Sequence, residues 1–255
     1  MGMPHRNDSR VPIKLYSWPT TNGRRVHIML EELGWPYRAH AVNLELGEQR
    51  SPAYTAINPN AKIPSIVDPS GPSGAPITVF ESGAILLYLA ERAGRFLSAD
   101  PQVRHETLCW FMFQISSVGP ALGVAHHYRY YAPETLPYAI ARSTKEARRL
   151  YGVMDTQLQR TPWMCGNEYT IADIAAFPWL QRSERQGIDW GEFGALRDWY
   201  LRVGQRPAVQ RGLGVLGDCL NLMPVPSSPP APTSAPAPSP SHEYRTLSNH
   251  KPARP

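Results

Sequence analysis

Cysteine is scarce in this chain of 255 residues, and its placement matters more than its number. The three cysteines, Cys109, Cys165 and Cys219, are far apart and odd in number. That spacing builds neither a disulfide framework nor a zinc site, and it points to a reducing compartment, the cytoplasm. Also missing is an uninterrupted apolar run of about 18 residues or more, so no membrane partner is expected. The leading "MGMPHRNDSRVP" is polar and lacks the apolar segment of a secretory signal; residues 1–12 are expected to be flexible. Charge of one sign is not concentrated either. The formal net charge is +5, no run of Lys and Arg is interleaved with aromatics, and part of the excess lies at the end, where Arg245, Lys251 and Arg254 face Glu243 alone. A solvated surface follows, with no nucleic-acid partner.

What is present is enough for a substantial core, since 42% of the residues are hydrophobic. "IKLYS" (13–17) alternates like a strand. Beyond a turn, Val26, Met29, Leu30 and Leu33 recur at helical spacing, and Gly34 can end that helix with positive φ. "YRAHAVNL" (37–44) reads as a second strand, parallel to the first because a helix supplies the crossover. An extended run over Ile63–Val67, a Pro/Gly/Ser hairpin loop (69–76), a strand "ITVFE" (77–81) and a helix over 82–94 with Ser82 as N-cap complete the unit. Residues 13–95 thus read as βαβ then ββα around a small mixed sheet. After "FLSADP" (96–101) strand signals stop. Helical stretches at 101–122, 133–160, 170–186 and 192–204 predict an all-α domain over 101–222. Ten of the 27 prolines fall in 223–255, which predicts a Pro-rich disordered tail or a segment for a proline-binding module.

The turn between the first strand and the first helix, Trp18-Pro19-Thr20-Thr21-Asn22-Gly23, contains no cysteine. Unpaired N–H groups at a helix start favour an anion or a thiolate, and Thr20, Thr21 and Asn22 add hydroxyl and amide donors. Such a turn lowers the pKa of a thiol that a ligand brings; alternatively Thr21 or Asn22 only caps the helix. A second group of residues complements it. Glu81 offers a carboxylate for an amino group, Ser82 and its helix start can hold a carboxylate, and Lys62 can meet another. A cis Ile63-Pro64 bond would present the Ile63 backbone to an extended peptide-like ligand. Taken singly, each of these has a structural explanation: a cap, a solvated acid, a turn. Thr170 and Asp173, three apart before an apolar run, form a capping box with Asp in place of Glu. His126 and His127, adjacent on a helix, point to different faces and make a poor metal pair; the aromatics Tyr128, Tyr130 and Tyr131 line a cleft or an interface, with a ligand contact by His126 or His127 as the alternative.

"PTTNG", "LGEQRSPAY", "NPNAKIPSIVD", "FESGAILLYLAE", "GPALGVAHHYRYYAPETLPYAIAR" and "IADIAAFPW" together resemble the cytosolic glutathione transferases over roughly 13–215. Within that superfamily the sequence is most similar to the nu class of glutathione-dependent disulfide-bond reductases, and also to fungal nitrogen regulators that carry a transferase domain. The resemblance implies an α+β thioredoxin-like N-terminal domain followed by an all-α C-terminal domain. It implies that Thr20 and Asn22 meet the glutathione sulfur, that Gln49, Lys62, Ile63, Glu81 and Ser82 hold the tripeptide, and that Arg142 reaches glutathione across a homodimer interface. Glutathione, reduced or oxidised, is the expected co-substrate, with a small disulfide or an electrophile as the other substrate and no metal. Disulfide exchange is the expected reaction. Conjugation to electrophiles, and a non-catalytic glutathione-binding regulatory role, are the alternatives.

Overall fold

The computed structural model describes residues 10–222. The expectations for 1–9 and for the Pro-rich tail 223–255 lie outside the described residues. The chain opens with β1 (Ile13–Ser17), α1 (Thr21–Leu33) and β2 (Tyr37–Ala41), followed by a 3-10 turn (Glu48–Arg50) and the short α2 (Pro52–Thr55). It continues with β3 (Ser65–Asp68), β4 (Ile77–Phe80) and α3 (Ser82–Ala93). The four strands form one sheet in the order β2-β1-β3-β4. β1 and β2 are parallel, while β1–β3 and β3–β4 are antiparallel. β2 is shorter than the sequence predicts because Asn43 turns the chain: its Oδ1 accepts from the Glu45 and Leu46 N–H groups. α1 buries Val26, Ile28, Met29, Leu30 and Leu33, and Gly34 closes it at φ 67°.

The helical part follows as α4 (Pro101–Phe113), α5 (Gly119–His126), α6 (Pro137–Leu158), α7 (Ile171–Leu180), α8 (Ser183–Gln186), α9 (Gly194–Gly204) and α10 (Pro207–Gly214). A π turn (Gln114–Val118) joins α4 to α5, and a second (His127–Tyr131) extends α5. The first absorbs Pro120, which has no N–H to give an α-helical ladder. The helical run Pro101–Tyr131 is long and apolar enough to cross a membrane by length and composition alone, with mean hydropathy 1.4. Phe111, Val118, Leu122 and Ala125 of this run are buried in the core. α6 starts four residues later than predicted, with Pro137 in its first turn, where a missing N–H costs nothing.

One apolar core joins both parts, running from Ile13, Leu15 and Ile66 of the sheet to Leu150, Tyr151, Ile174 and Trp199 of the helices. α1 is the seam. Asn22 accepts from Trp179 Nε1 (3.2 Å), Arg24 donates to Gln181 Oε1 (2.9 Å), Arg25 donates to the Ala175 carbonyl (3.0 Å), and Glu32 pairs with Arg206 (2.6 Å). The start of α1 is therefore held from both sides.

Candidate active site

The turn after β1 is shaped by a glycine. Gly23 is the third residue of α1, and a Cβ there would lie 2.1 Å from the Trp18 carbonyl oxygen. No side chain fits, so no acid at that position can reach back to close the helix start. Thr20 is the N-cap, with backbone φ −89° and ψ 170°; its Oγ1 accepts from the Gly23 N–H at 3.2 Å. That bond uses a lone pair and leaves the hydroxyl proton free to donate. Thr20, rather than Thr21 or Asn22, is thus the cap. Asn22 Oδ1 accepts from Trp179, so the amide NH2 is the end left to donate.

Asn22 opens onto a cavity of about 480 Å³ that Glu81 and, from α3, Ser82, Gly83, Ala84 and Leu87 line. Phe111, Met112, Ile115, Gly119, Pro120 and Gly123 of the α4–α5 run line it as well, together with Trp179 and Arg25. Of the eight residues singled out from sequence, this cavity collects Asn22, Glu81 and Ser82; Thr20 flanks it at the head of α1. None of the three cysteines lines it. Cys165 is buried elsewhere, and burial pushes its thiol up to about 12.

Glu81 and Ser82 depart from the expected cap. The N-cap of α3 is Glu81, at φ 67° and ψ 119°, and Ser82 is the first helical residue. Positive φ is costly for a residue with a side chain, so the backbone is held there by its surroundings. The Glu81 carboxylate accepts from Asn60 Nδ2 at 3.0 Å, which ties it to the loop before β3. In that loop the Ile63–Pro64 bond is cis. The Lys62 carbonyl accepts from Tyr54 Oη (2.7 Å) and Asn58 Nδ2 (2.6 Å), whereas the Ile63 N–H and C=O have no partner among the described residues. The Lys62 side chain is exposed. Gln49 sits in the 3-10 turn before α2 with its Oε1 buried and unpartnered. Arg142 lies exposed on α6 and does not line the cavity of its own chain.

Arg25 is the site residue that sequence reasoning missed. It is 3% exposed, donates from Nη1 to Ser82 Oγ (2.9 Å) and packs on the Trp179 ring at 5.8 Å. Burial pushes its guanidinium down to about 9, still cationic at neutral pH. The signal was a charge on the buried face of an amphipathic helix, four residues before Met29. His126 and His127 part as expected from adjacency. His126 is half-buried against Tyr130 and Tyr131, with its pKa pushed down to about 4 by burial and by Arg182 and Arg185; His127 is exposed beside Tyr128. Neither lines the cavity. Among the described residues no group of three or more His, Cys, Asp or Glu side chains could hold a metal ion.

Comparison with known proteins places this architecture. Residues 21–92 match the family described as "Glutathione S-transferase, N-terminal domain", and residues 124–207 match "Glutathione S-transferase, C-terminal domain". The disulfide-bond oxidoreductase YfcG of Escherichia coli is 46% identical over 209 residues, covering 81% of this chain and 97% of that protein. The chain belongs to the glutathione transferase family. A glutathione transferase family member from Pseudomonas fluorescens, solved with two glutathione bound, superposes with a TM-score of 0.76 at 42% identity, covering 79% of this chain and 92% of that one. A glutathione transferase from Pseudomonas putida, with one glutathione disulfide bound per subunit, gives 0.77 at 41% identity over 82% and 94%. The fold class expected from the sequence, a thioredoxin-like domain followed by a helical one, is the one observed.

Proposed function

We propose that this transferase is a glutathione-dependent disulfide-bond reductase of the nu type, whose reacting sulfurs all belong to its substrates. The observation that carries this reading is the cavity itself. Asn22 at the head of α1 and Ser82 at the head of α3 open onto one space walled by apolar helical side chains, and no cysteine lines it. The relatives' names, a disulfide-bond oxidoreductase and structures holding two glutathiones or a glutathione disulfide, support it.

In this reading glutathione lies along the first domain. Its thiol sits at the start of α1, where the Thr20 hydroxyl, the Asn22 amide and the free N–H groups favour the thiolate. Glu81 takes the amino group, Ser82 and the head of α3 take the adjacent carboxylate, the Ile63 backbone pairs with the peptide, and Gln49 and Lys62 hold the remaining polar groups. The thiolate attacks one sulfur of the substrate disulfide; a new S–S bond forms, the old one breaks, and the leaving thiolate takes up a proton. A second glutathione then attacks the mixed disulfide and releases glutathione disulfide with the reduced substrate. Arg142 serves the site of a second copy: it is exposed on α6 near the exposed Leu136 and Tyr138, an apolar surface suited to a homodimer. The cytoplasm, where glutathione is kept reduced, suits this chemistry.

Glutathione-dependent reduction of a small disulfide, coupled to an NADPH-linked glutathione reductase, tests the reading against conjugation of an aryl electrophile. Disulfide turnover that exceeds conjugation is the expected result. The apolar wall of Phe111, Met112, Ile115 and Trp179 also suits an aryl group, so dominant conjugation would reassign the reaction. Glutathione binding without either turnover would leave a regulatory module.

A further inference from the structure

Arg25 is fixed from three directions and neutralised from none. Nε donates to the Ala175 carbonyl of α7 (3.0 Å), Nη1 donates to Ser82 Oγ of α3 (2.9 Å), and the guanidinium lies over the Trp179 ring at 5.8 Å. Elsewhere in the fold, partly exposed arginines pair with buried carboxylates, as in Arg92–Asp68 and Arg206–Glu32. Arg25 has no such pair among the described residues, and the carboxylate that lines its cavity, Glu81, bonds to Asn60 instead. A buried charge left without a counter-ion is expensive. Its persistence in the lining of a cavity calls for an anion that arrives with a ligand.

The bond to Ser82 says where that anion sits. A guanidinium only donates, so Ser82 Oγ accepts from Arg25, and the serine proton has to be given elsewhere. No acceptor for it appears among the described residues. Ser82 lines the cavity as the first residue of α3, beside the unpaired N–H groups of that helix start. We infer that Arg25 is a positioning residue: it takes the Ser82 lone pair, turns the hydroxyl into a donor aimed at the carboxylate beside the glutathione amino group, and supplies the positive charge behind it. This rests on the glutathione reading above and extends it with a residue outside the set that the sequence singled out.

The test compares two ligands by calorimetry on the full-length protein: glutathione, and γ-aminobutyryl-cysteinyl-glycine, which keeps the amino group but lacks that carboxylate. The wild type is expected to prefer glutathione by about 10- to 100-fold, the range for hydrogen bonds to a charged group. Arg25→Gln should abolish most of that preference while the analogue binds as before, and Arg25→Lys should restore part of it by returning the charge. Ser82→Ala should also reduce the preference, and combining it with Arg25→Gln should add little. Equal weakening of both ligands by Arg25→Gln would make Arg25 a packing residue and overturn the inference. Should Arg25→Gln not fold, Ser82→Ala decides alone: an unchanged preference overturns it. A wild-type protein that binds neither ligand would overturn the glutathione reading and this inference together.

Discussion

Two helices in this molecule begin with a threonine cap, and they end up as opposites. At α7 the Thr170 hydroxyl accepts from the Ala172 N–H, and Asp173 reaches back to the Thr170 N–H at 2.9 Å. Asp173 also accepts from the Met164 N–H (3.0 Å) and Trp199 Nε1 (2.8 Å), all fully buried. Burial pushes its carboxyl up, and these three donors, together with the Thr170 hydroxyl at 3.2 Å, oppose that. At α1, Thr20 caps alone, and the residue three positions on is Gly23, where a side chain has no room. One helix start is closed by the chain's own carboxylate. The other has no carboxylate to close it. The same cap chemistry thus serves folding at one site and, in our reading, catalysis at the other, with the third helical residue as the switch between them.

The comparison breaks most visibly at the closed end. Asp173→Ala strands four buried donors and should cost about 3–5 kcal/mol of stability, with activity per folded molecule little changed. Denaturant unfolding and active-site titration together measure both; a large loss of turnover in the folded fraction would show that α7 does more than support. At the open end the balance reverses. Asn22→Ala should lower disulfide turnover by about tenfold or more through the lost donor, while moving stability by about 1 kcal/mol or less. Near-wild-type turnover would reduce Asn22 to a tether for Trp179. The finest distinction lies at Thr20. Thr20→Ser keeps both the cap and the hydroxyl and should change little, whereas Thr20→Ala should lose about 1 kcal/mol of stability along with turnover. Turnover that survives Thr20→Ala would leave the sulfur to Asn22 and the backbone.

Local signals carried much of this into the sequence. Alternation marked β1, helical spacing marked the buried face of α1, and the Thr170–Asp173 spacing marked the capping box. The misses came where a distant contact decided a local choice. Ser82 looks like an N-cap, but its hydroxyl is engaged by Arg25 from 57 residues away, and Glu81 takes the cap position in a left-handed backbone. The α4–α5 run looks like one plain helix, yet a π turn accommodates Pro120 and shapes the cavity wall. α10, short and bounded by Pro207 and Gly214, packs on α1, where a Cβ at Gly212 would lie 2.7 Å from the Ile28 Cα. Arg25 was hidden by its neighbours, since a charge in "NGRRVHIML" reads as surface until the fold places α7 over it.

The central claim is that no sulfur of this protein takes part in the exchange, and the variant lacking Cys109, Cys165 and Cys219 tests it most directly. With all three replaced by alanine, glutathione-dependent reduction of a small disulfide should proceed at the wild-type rate per folded molecule. Loss of that activity in a protein that still folds and still binds glutathione would make a cysteine of the helical domain the nucleophile, and the open turn at α1 would be no more than a helix start.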